Sequence, residues 1–148
     1  MALFTKTPPT RKIKTTRLII AGSRHLTMRD YPLLERAVAK AVTKFGWDIT
    51  EVVNGTALGG DALGVKYAKA HGIHVEDFEP DWGDSEDPNL EAGFLRNEDM
   101  ACYAAQSRGG LIALWDGHSA GTRDMIARAK HHNLEVYVAY TGGRIAAR

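Results

Sequence analysis

Cysteine is nearly absent from the sequence: Cys102 is the only one among 148 residues. One cysteine excludes an internal disulfide and a multi-cysteine zinc site, and such scarcity is typical of a reducing, cytoplasmic setting. The six histidines form no group with the spacing of metal ligands. We therefore expect no bound metal and no cofactor.

Long apolar runs and a strong net charge are also missing. No segment approaches the roughly 20 apolar residues of a membrane helix, and residues 1–6 lack the apolar core of a signal peptide, so we expect no membrane partner. The net charge of +1 gives no global case for binding nucleic acid. Basic residues without acidic neighbours occur only near the start, at Lys6, Arg11, Lys12, Lys14 and Arg17.

The length and composition predict one domain with its own core. We interpret residues 1–15, which include the basic residues and a Pro8-Pro9 pair, as a flexible arm. The domain proper is predicted over residues 16–140, and residues 141–148 are predicted to be a tail.

Apolar runs alternate with helical patterns along the domain. Runs at 17–21 and 111–115 are apolar throughout, as in strands buried on both faces, and weaker strand patterns lie at 49–53, 74–78 and 135–139. A helix is predicted from Asp30, as its cap, to Phe45, with Gly46 as its stop. Others are predicted at 61–71, 91–106 and around 125–129, the third burying Leu95, Met100, Ala101, Ala104 and Ala105.

This alternation predicts an α/β fold, a Rossmann-like three-layer sandwich with a mainly parallel sheet of about five strands. Ligands of such sheets bind beyond the carboxyl ends of the strands, at the switch in strand order. The turns there are Gly22–Arg24, Gly55–Asp61 and Asp116–Thr122. If the first, second and fourth strands are neighbours, all three turns meet at one crevice.

The residues of these turns suit a phosphate-bearing ligand. A glycine-rich turn before a helix exposes N–H groups at a positive helix end, although its glycines also fit a plain tight connection. Arginine after a buried strand can hold a phosphate in a bidentate contact. The predicted ligand residues are Gly22, Ser23, Arg24, Gly55, Thr56, Gly59, Gly60, Asp61, Arg96, Asn97, Ser119, Gly121 and Thr122.

Each charged or hydroxyl residue also has a structural alternative. Arg24 could pair with Asp61, and Asp61 could cap its helix instead of accepting from a ribose. Ser119 could be a plain N-cap. Arg96 needs an anionic partner, which is either a nearby acid such as Glu98 or the ligand. The catalytic residues, if there are any, are unknown, and the candidates are Arg96, Asp61 and Asp116.

Five motifs together resemble the SLOG superfamily, the group that joins DNA-processing protein A with the Lonely-Guy nucleotide phosphoribohydrolases, and within it the YspA/YpsA-related branch. The resemblance covers about residues 18–138 and implies a Rossmann-like fold, a small-molecule nucleotide ligand and a homo-oligomer. In chain order, the matching motifs are Ala21–Arg24, Gly55–Asp61, Pro80–Trp82, Ala92–Asn97 and Trp115–Thr122.

Two groups of relatives imply different activities. Lonely-Guy enzymes hydrolyse the N-glycosidic bond of nucleoside monophosphates with an arginine, which Arg96 matches, and a glutamate, whose position here is Met125. Asp124 is adjacent but is turned by about 100° on a helix, so the hydrolase hypothesis requires Asp61 or Asp116 at the scissile bond. The DNA-processing relatives bind single-stranded DNA, which favours clustered positive charge with aromatic residues, and this sequence has such charge only in its arm.

We therefore favour binding over cleavage. The hypothesis is that the crevice binds a nucleotide or a nucleotide-derived ligand, such as an NAD-like or ADP-ribose-like compound or a cyclic nucleotide, as a sensor or scavenger.

Overall fold

A sheet of five strands runs through the computed structural model, which describes residues 14–84, 86, 89 and 91–142. The strands are β1 (Thr16–Gly22), β2 (Ile49–Asn54), β3 (His74–Asp77), β4 (Gly110–Trp115) and β5 (Glu135–Tyr140). Their order is β3-β2-β1-β4-β5, and each neighbouring pair is parallel. The predicted arm lies outside the described residues except for residues 14 and 15, and the predicted tail except for 141 and 142.

Four helices connect the strands: α1 (Tyr31–Phe45), α2 (Gly60–His71), α3 (Ala92–Ala105) and α4 (Ala120–His131). The sheet lies between them, because alternate residues of a strand point to opposite faces. Leu18 and Ile20 of β1 pack with α1 and α2, whereas Ile19 and Ala21 pack with α3 and α4. The prediction of a Rossmann-like three-layer sandwich is confirmed, and β1, β2 and β4 are the central strands.

Two details of the predicted helices are wrong. Leu95 is 51% exposed and Ala105 is exposed, because α3 turns Asn97, Met100, Ala101 and Ala104 inward and each further residue rotates by about 100°. Asp30 stands at the N-cap position of α1 but makes no side-chain cap there. Its carboxylate accepts a 2.9 Å hydrogen bond from the Thr27 N–H, which closes a 3-10 turn (Met28–Asp30) just before the helix.

The end of β1 and the start of α2 are in direct backbone contact. A Cβ on Gly60 would collide with the backbone N and Cα of Gly22, and a Cβ on Gly22 would lie 2.8 Å from the Leu114 carbonyl oxygen. Gly59 has φ +73° and faces the Ser23 carbonyl oxygen, so a side chain there is both strained and blocked. These three glycines therefore bring the β1 and β2 turns together.

No helix among the described residues is both long enough and apolar enough to cross a bilayer.

Replacing Gly60 with alanine is expected to lower the free energy of unfolding by at least about 2 kcal/mol, because an added methyl group against backbone forces β1 and α2 apart. Urea denaturation measures the change. Gly121→Ala is the matched control: nothing lies within 4 Å of its added Cβ, and alanine in a helix is neutral or stabilising by up to about 1 kcal/mol. Equal stability of the two variants would contradict the close packing of Gly22 and Gly60.

Candidate functional site

The three turns meet at a cavity of about 290 Å³ beyond the carboxyl ends of the strands. Two further cavities, of about 250 and 270 Å³, share Arg24 and Arg96 with it. We call the three together the crevice. Its first cavity is lined by the predicted residues Gly22, Ser23, Arg24, Asp61, Arg96, Asn97, Ser119, Gly121 and Thr122, and Gly55 and Thr56 line the third.

The predicted glycines Gly59 and Gly60 line none of these cavities. Gly60 instead packs against the backbone at the end of β1, and Gly59 packs against the turn that follows it. Thr56, by contrast, is a non-glycine residue at φ +62°, held there by a 2.8 Å bond from its N–H to Asn54 Oδ1. Left-handed backbone at a non-glycine residue is a strain that structures retain mainly at functional sites.

Arg96 crosses from α3 to the glycine turn. Its Nη1 donates to the Gly55 carbonyl oxygen, and its Nε donates to Asn97 Oδ1 at 3.1 Å. A Cβ on Gly55 would lie 2.8 Å from Nη1, so the turn must be glycine to admit the guanidinium. Burial lowers the pKa of Arg96, and the positive charge of Arg24 lowers it further, whereas the negative charge of Asp61 raises it. Asp61, and not Glu98, is therefore the acidic neighbour of Arg96.

Asp61 is 6% exposed and does not cap α2. Its Oδ2 instead accepts a 3.0 Å hydrogen bond from the Ala57 N–H, in the loop before the helix. Burial raises the pKa of Asp61 from 3.8 to about 6, although the Ala57 N–H and Arg96 both favour the ionised form. Among the described residues that line the first cavity, Asp61 has the one carboxylate.

Arg24 is exposed and contacts all three cavities. The expected alternative, an ion pair with Asp61, does not form, and within residues 14–84, 86, 89 and 91–142 Arg24 has no ion pair within 4.0 Å. Arg24 also lies close enough to Arg96 for their charges to repel. A guanidinium without a partner beside a second cation favours an anionic ligand.

The β4–α4 turn is held by Asp116. Its Oδ1 accepts 2.8 Å bonds from the N–H groups of His118 and Ser119, and its Oδ2 accepts from Ser119 Oγ at 2.9 Å. Burial alone would raise the pKa of Asp116, but these hydrogen bonds lower it to about 2. A carboxylate so engaged does not serve as a general acid near neutral pH.

The two serines connect the first and third turns. Ser23 Oγ lies 3.0 Å from Ser119 Oγ and accepts from the Asp116 N–H at 3.3 Å. The Ser119 side chain makes no cap hydrogen bond to α4, so the structural alternative of a plain N-cap is wrong. Among the described residues no side chain caps that helix end, so the first N–H groups of α4 have no side-chain partner there. Ser119, Gly121 and Thr122 at this helix end line the first cavity.

Asn97 joins α3 to α4. It is buried, and its Nδ2 donates to Asp124 Oδ2 at 3.0 Å and to the Gly121 carbonyl oxygen at 3.3 Å. Asp124 also accepts from Arg128 Nε at 2.8 Å and does not line the cavity, whereas Met125 does. The position that the resemblance assigns to a catalytic glutamate is thus an apolar part of the wall.

Two aromatic side chains at the mouth of the crevice were missed as site residues. Trp82 is 51% and Phe94 40% exposed, and both line the cavity that contains Arg24 and Arg96. The Trp82 ring lies over the first turn of α3, 3.5 Å from the place of a Cβ on Gly93. The sequence could have indicated Trp82 as a site residue, because Pro80–Trp82 is one of the five motifs of the resemblance and follows a predicted strand.

Comparisons with known proteins agree with this fold. A family model described as "YspA, cpYpsA-related SLOG family" matches residues 16–84, just under half of the chain, so the resemblance predicted from the motifs is confirmed. The X-ray structure of DNA processing protein A from Streptococcus pneumoniae matches with a TM-score of 0.63 and 16% identity. The match covers 84% of this chain and 50% of that one; at this identity it shows the fold alone. A search of curated proteins gave no match.

The raised pKa of Asp61 predicts how stability depends on pH. The folded state holds this proton up to about pH 6 and the unfolded chain only to about pH 4, so stability falls as pH rises through that window. Two pKa units correspond to about 3 kcal/mol. Asp61→Asn cannot titrate, so we expect its free energy of unfolding to lack this pH dependence. The free energy of unfolding of wild type, relative to that of the variant, should therefore decrease by up to about 3 kcal/mol between pH 4 and pH 7.

Urea denaturation of both proteins at intervals across that range measures the difference. The contribution of Asp116 has the opposite sign, because its lowered pKa stabilises the fold above about pH 4 and is lost toward pH 2, and it cancels between wild type and variant. A difference that stays constant from pH 4 to pH 7 would show that Asp61 is ionised normally.

Proposed function

We propose that the crevice binds a nucleotide or a nucleotide-derived ligand, such as an NAD-like or ADP-ribose-like compound or a cyclic nucleotide, as a sensor or scavenger. The observation that carries the proposal is the grouping of Arg24, Arg96 and the start of α4 around the first cavity. Trp82 lines the second cavity, which shares both arginines with the first. The resemblance to the SLOG family supports a nucleotide-related ligand.

The positive groups favour the phosphate part of such a ligand. Arg24 offers a guanidinium that has no ion pair among the described residues. The start of α4 adds about half a positive charge and N–H groups that a phosphate can bind. Arg96 is already tied to Gly55 and Asn97, so it supplies fixed charge more than new hydrogen bonds. Asp61 beside it reduces the net positive charge, which favours a ligand with few phosphates.

The aromatic side chains favour a flat ring in the ligand. Stacking of a base on an aromatic side chain contributes about 1–3 kcal/mol, and Trp82 shares a cavity wall with both arginines. The combined crevice falls within the range of about 300–1,000 Å³ of small-molecule sites. In this binding mode the base of the ligand stacks on Trp82 while its phosphate binds Arg24, so that the ligand spans the crevice.

One observation favours a second candidate function, hydrolysis of an N-glycosidic bond. Asp61 lines the cavity with a pKa of about 6, the range of a general acid or base near neutral pH. The position of Met125 opposes this function, because an oxocarbenium-like transition state needs an ionised carboxylate. Self-association is an expectation from the resemblance, and size-exclusion chromatography tests it. Single-stranded DNA binding is the less favoured alternative, because clustered positive charge is predicted only in the arm, and a DNA shift assay tests it.

Arg24→Ala and Trp82→Ala are expected to abolish ligand-induced thermal stabilisation. At 100 times its Kd, a ligand adds about 2.7 kcal/mol, or about 5–10 °C in Tm for a chain of this size. Scanning fluorimetry with AMP, ADP-ribose, NAD and cyclic AMP measures the shift. The control is Arg36→Ala on the exposed side of α1. If both crevice variants keep the full shift, the ligand binds elsewhere.

Cleavage is tested separately. Wild type is incubated with nucleoside monophosphates and NAD across pH 5–8, and chromatography follows the release of free base. On the binding proposal no base is released while thermal stabilisation remains. Release that Asp61→Asn abolishes would establish the second function instead.

A further inference from the structure

Three potential metal ligands lie together outside the crevice. Glu98 and Cys102 are one helical turn apart on α3, and His132 follows the end of α4. Cys102 Sγ lies 3.5 Å from Glu98 Oε2 and 3.8 Å from His132 Nε2, and this nitrogen lies 2.8 Å from Glu98 Oε2. The three donor atoms thus form a small triangle.

The dimensions of this triangle match one face of a metal tetrahedron. Bond lengths of about 2.3 Å to sulfur and about 2.0–2.2 Å to nitrogen and oxygen give edges of roughly 3.3–3.6 Å between ligand atoms. Each observed separation is within about half an ångström of that range. The ligands therefore need only small side-chain rotations to hold one ion.

We propose that Glu98, Cys102 and His132 bind a single Zn²⁺-class transition-metal ion, with a fourth position open to water. Thiolate and imidazole ligands select zinc and its neighbours over Mg²⁺ and Ca²⁺, which prefer oxygen. Three protein ligands with an open position are typical of reactive zinc sites, whereas structural sites have four.

A neighbouring residue holds the carboxylate in place. Arg128 Nη1 donates to Glu98 Oε1 at 3.1 Å, which leaves Oε2 toward the cysteine and histidine. Arg128 is itself paired with Asp124, so its charge is partly compensated. Carboxylates that bind a metal are commonly held by such a hydrogen bond from a neighbouring side chain, which here is Arg128.

The metal must displace a proton. Without metal, burial and then Glu98 raise the pKa of Cys102, so the sulfur is a thiol. Binding forms the metal–sulfur bond and releases the thiol proton to solvent, with no change in oxidation state. The sequence did not reveal the site, because the histidine is thirty positions from Cys102 and depends on the packing of α3 against α4.

Titration with Co²⁺ alone, followed by Zn²⁺ displacement, tests the site in the full chain. We expect one equivalent bound, with a thiolate-to-cobalt charge-transfer band and the intense visible bands of a tetrahedral ion. Cys102 is the sole cysteine, so the charge-transfer band reports on it directly. Calorimetry with Zn²⁺ gives the affinity.

Variants distinguish a built site from chance binding at a surface thiol. Cys102→Ser is expected to abolish the charge-transfer band, and His132→Gln to weaken Zn²⁺ binding at least 10-fold. His131→Gln, next in the chain but outside the triangle, is the matched control. A band that survives unchanged in His132→Gln, or equal weakening by both histidine variants, would overturn the proposal. Circular dichroism of each metal-free variant confirms that the fold is retained.

Discussion

The backbone contact between Gly22 and Gly60 is the constraint on which the site depends. β1 ends and α2 begins without side chains between them, so the turn after β1 and the turn after β2 lie against each other. That proximity brings Arg24 beside the cavity wall that contains Asp61. The parallel pairing of β1 with β4 then places Ser23 against the turn after β4. The glycine-rich stretch at 55–60 thus allows close backbone packing in the first place. Its effect on ligand binding follows from the position that this packing gives to the turns around the cavity.

Much of the fold could be predicted from the sequence because its signals are local. The apolar runs of β1 and β4 are buried on both faces, which only a central position in a parallel sheet provides. The weaker strand pattern at 74–78 corresponds to β3, which lies at the edge of the sheet. The buried face of α3 was harder to predict, because small alanine residues occur on both faces of the helix and give a weak periodic pattern. Leu95 was therefore assigned to the core by its apolar side chain.

The location of the site could be predicted from the sequence, but the roles of its individual residues could be predicted less well. Asp30 and Ser119 stand at N-cap positions, and Asp61 is the second residue of α2, yet none of the three caps its helix. Their side chains bond instead to Thr27, Asp116 and Ala57 respectively. Each partner lies only three or four residues earlier in the chain, and residue type alone does not show which nearby N–H or hydroxyl group the side chain reaches. Asn97 and the two serines, by contrast, connect different elements of the fold. The position of the Trp82 ring in the crevice could not be predicted, because it depends on how the loop that contains Trp82 packs on the first turn of α3.

The buried position of Asp61 exposes a trade-off between folding and activity. A chain selected for stability alone would place an amide or an apolar side chain there, because an ionised carboxylate out of water is a cost that the Ala57 N–H and Arg96 only partly offset. Natural sequences keep such locally unfavourable choices mainly where function demands them. The position is therefore where stabilising substitutions should be easiest to find and most damaging to whatever the crevice does.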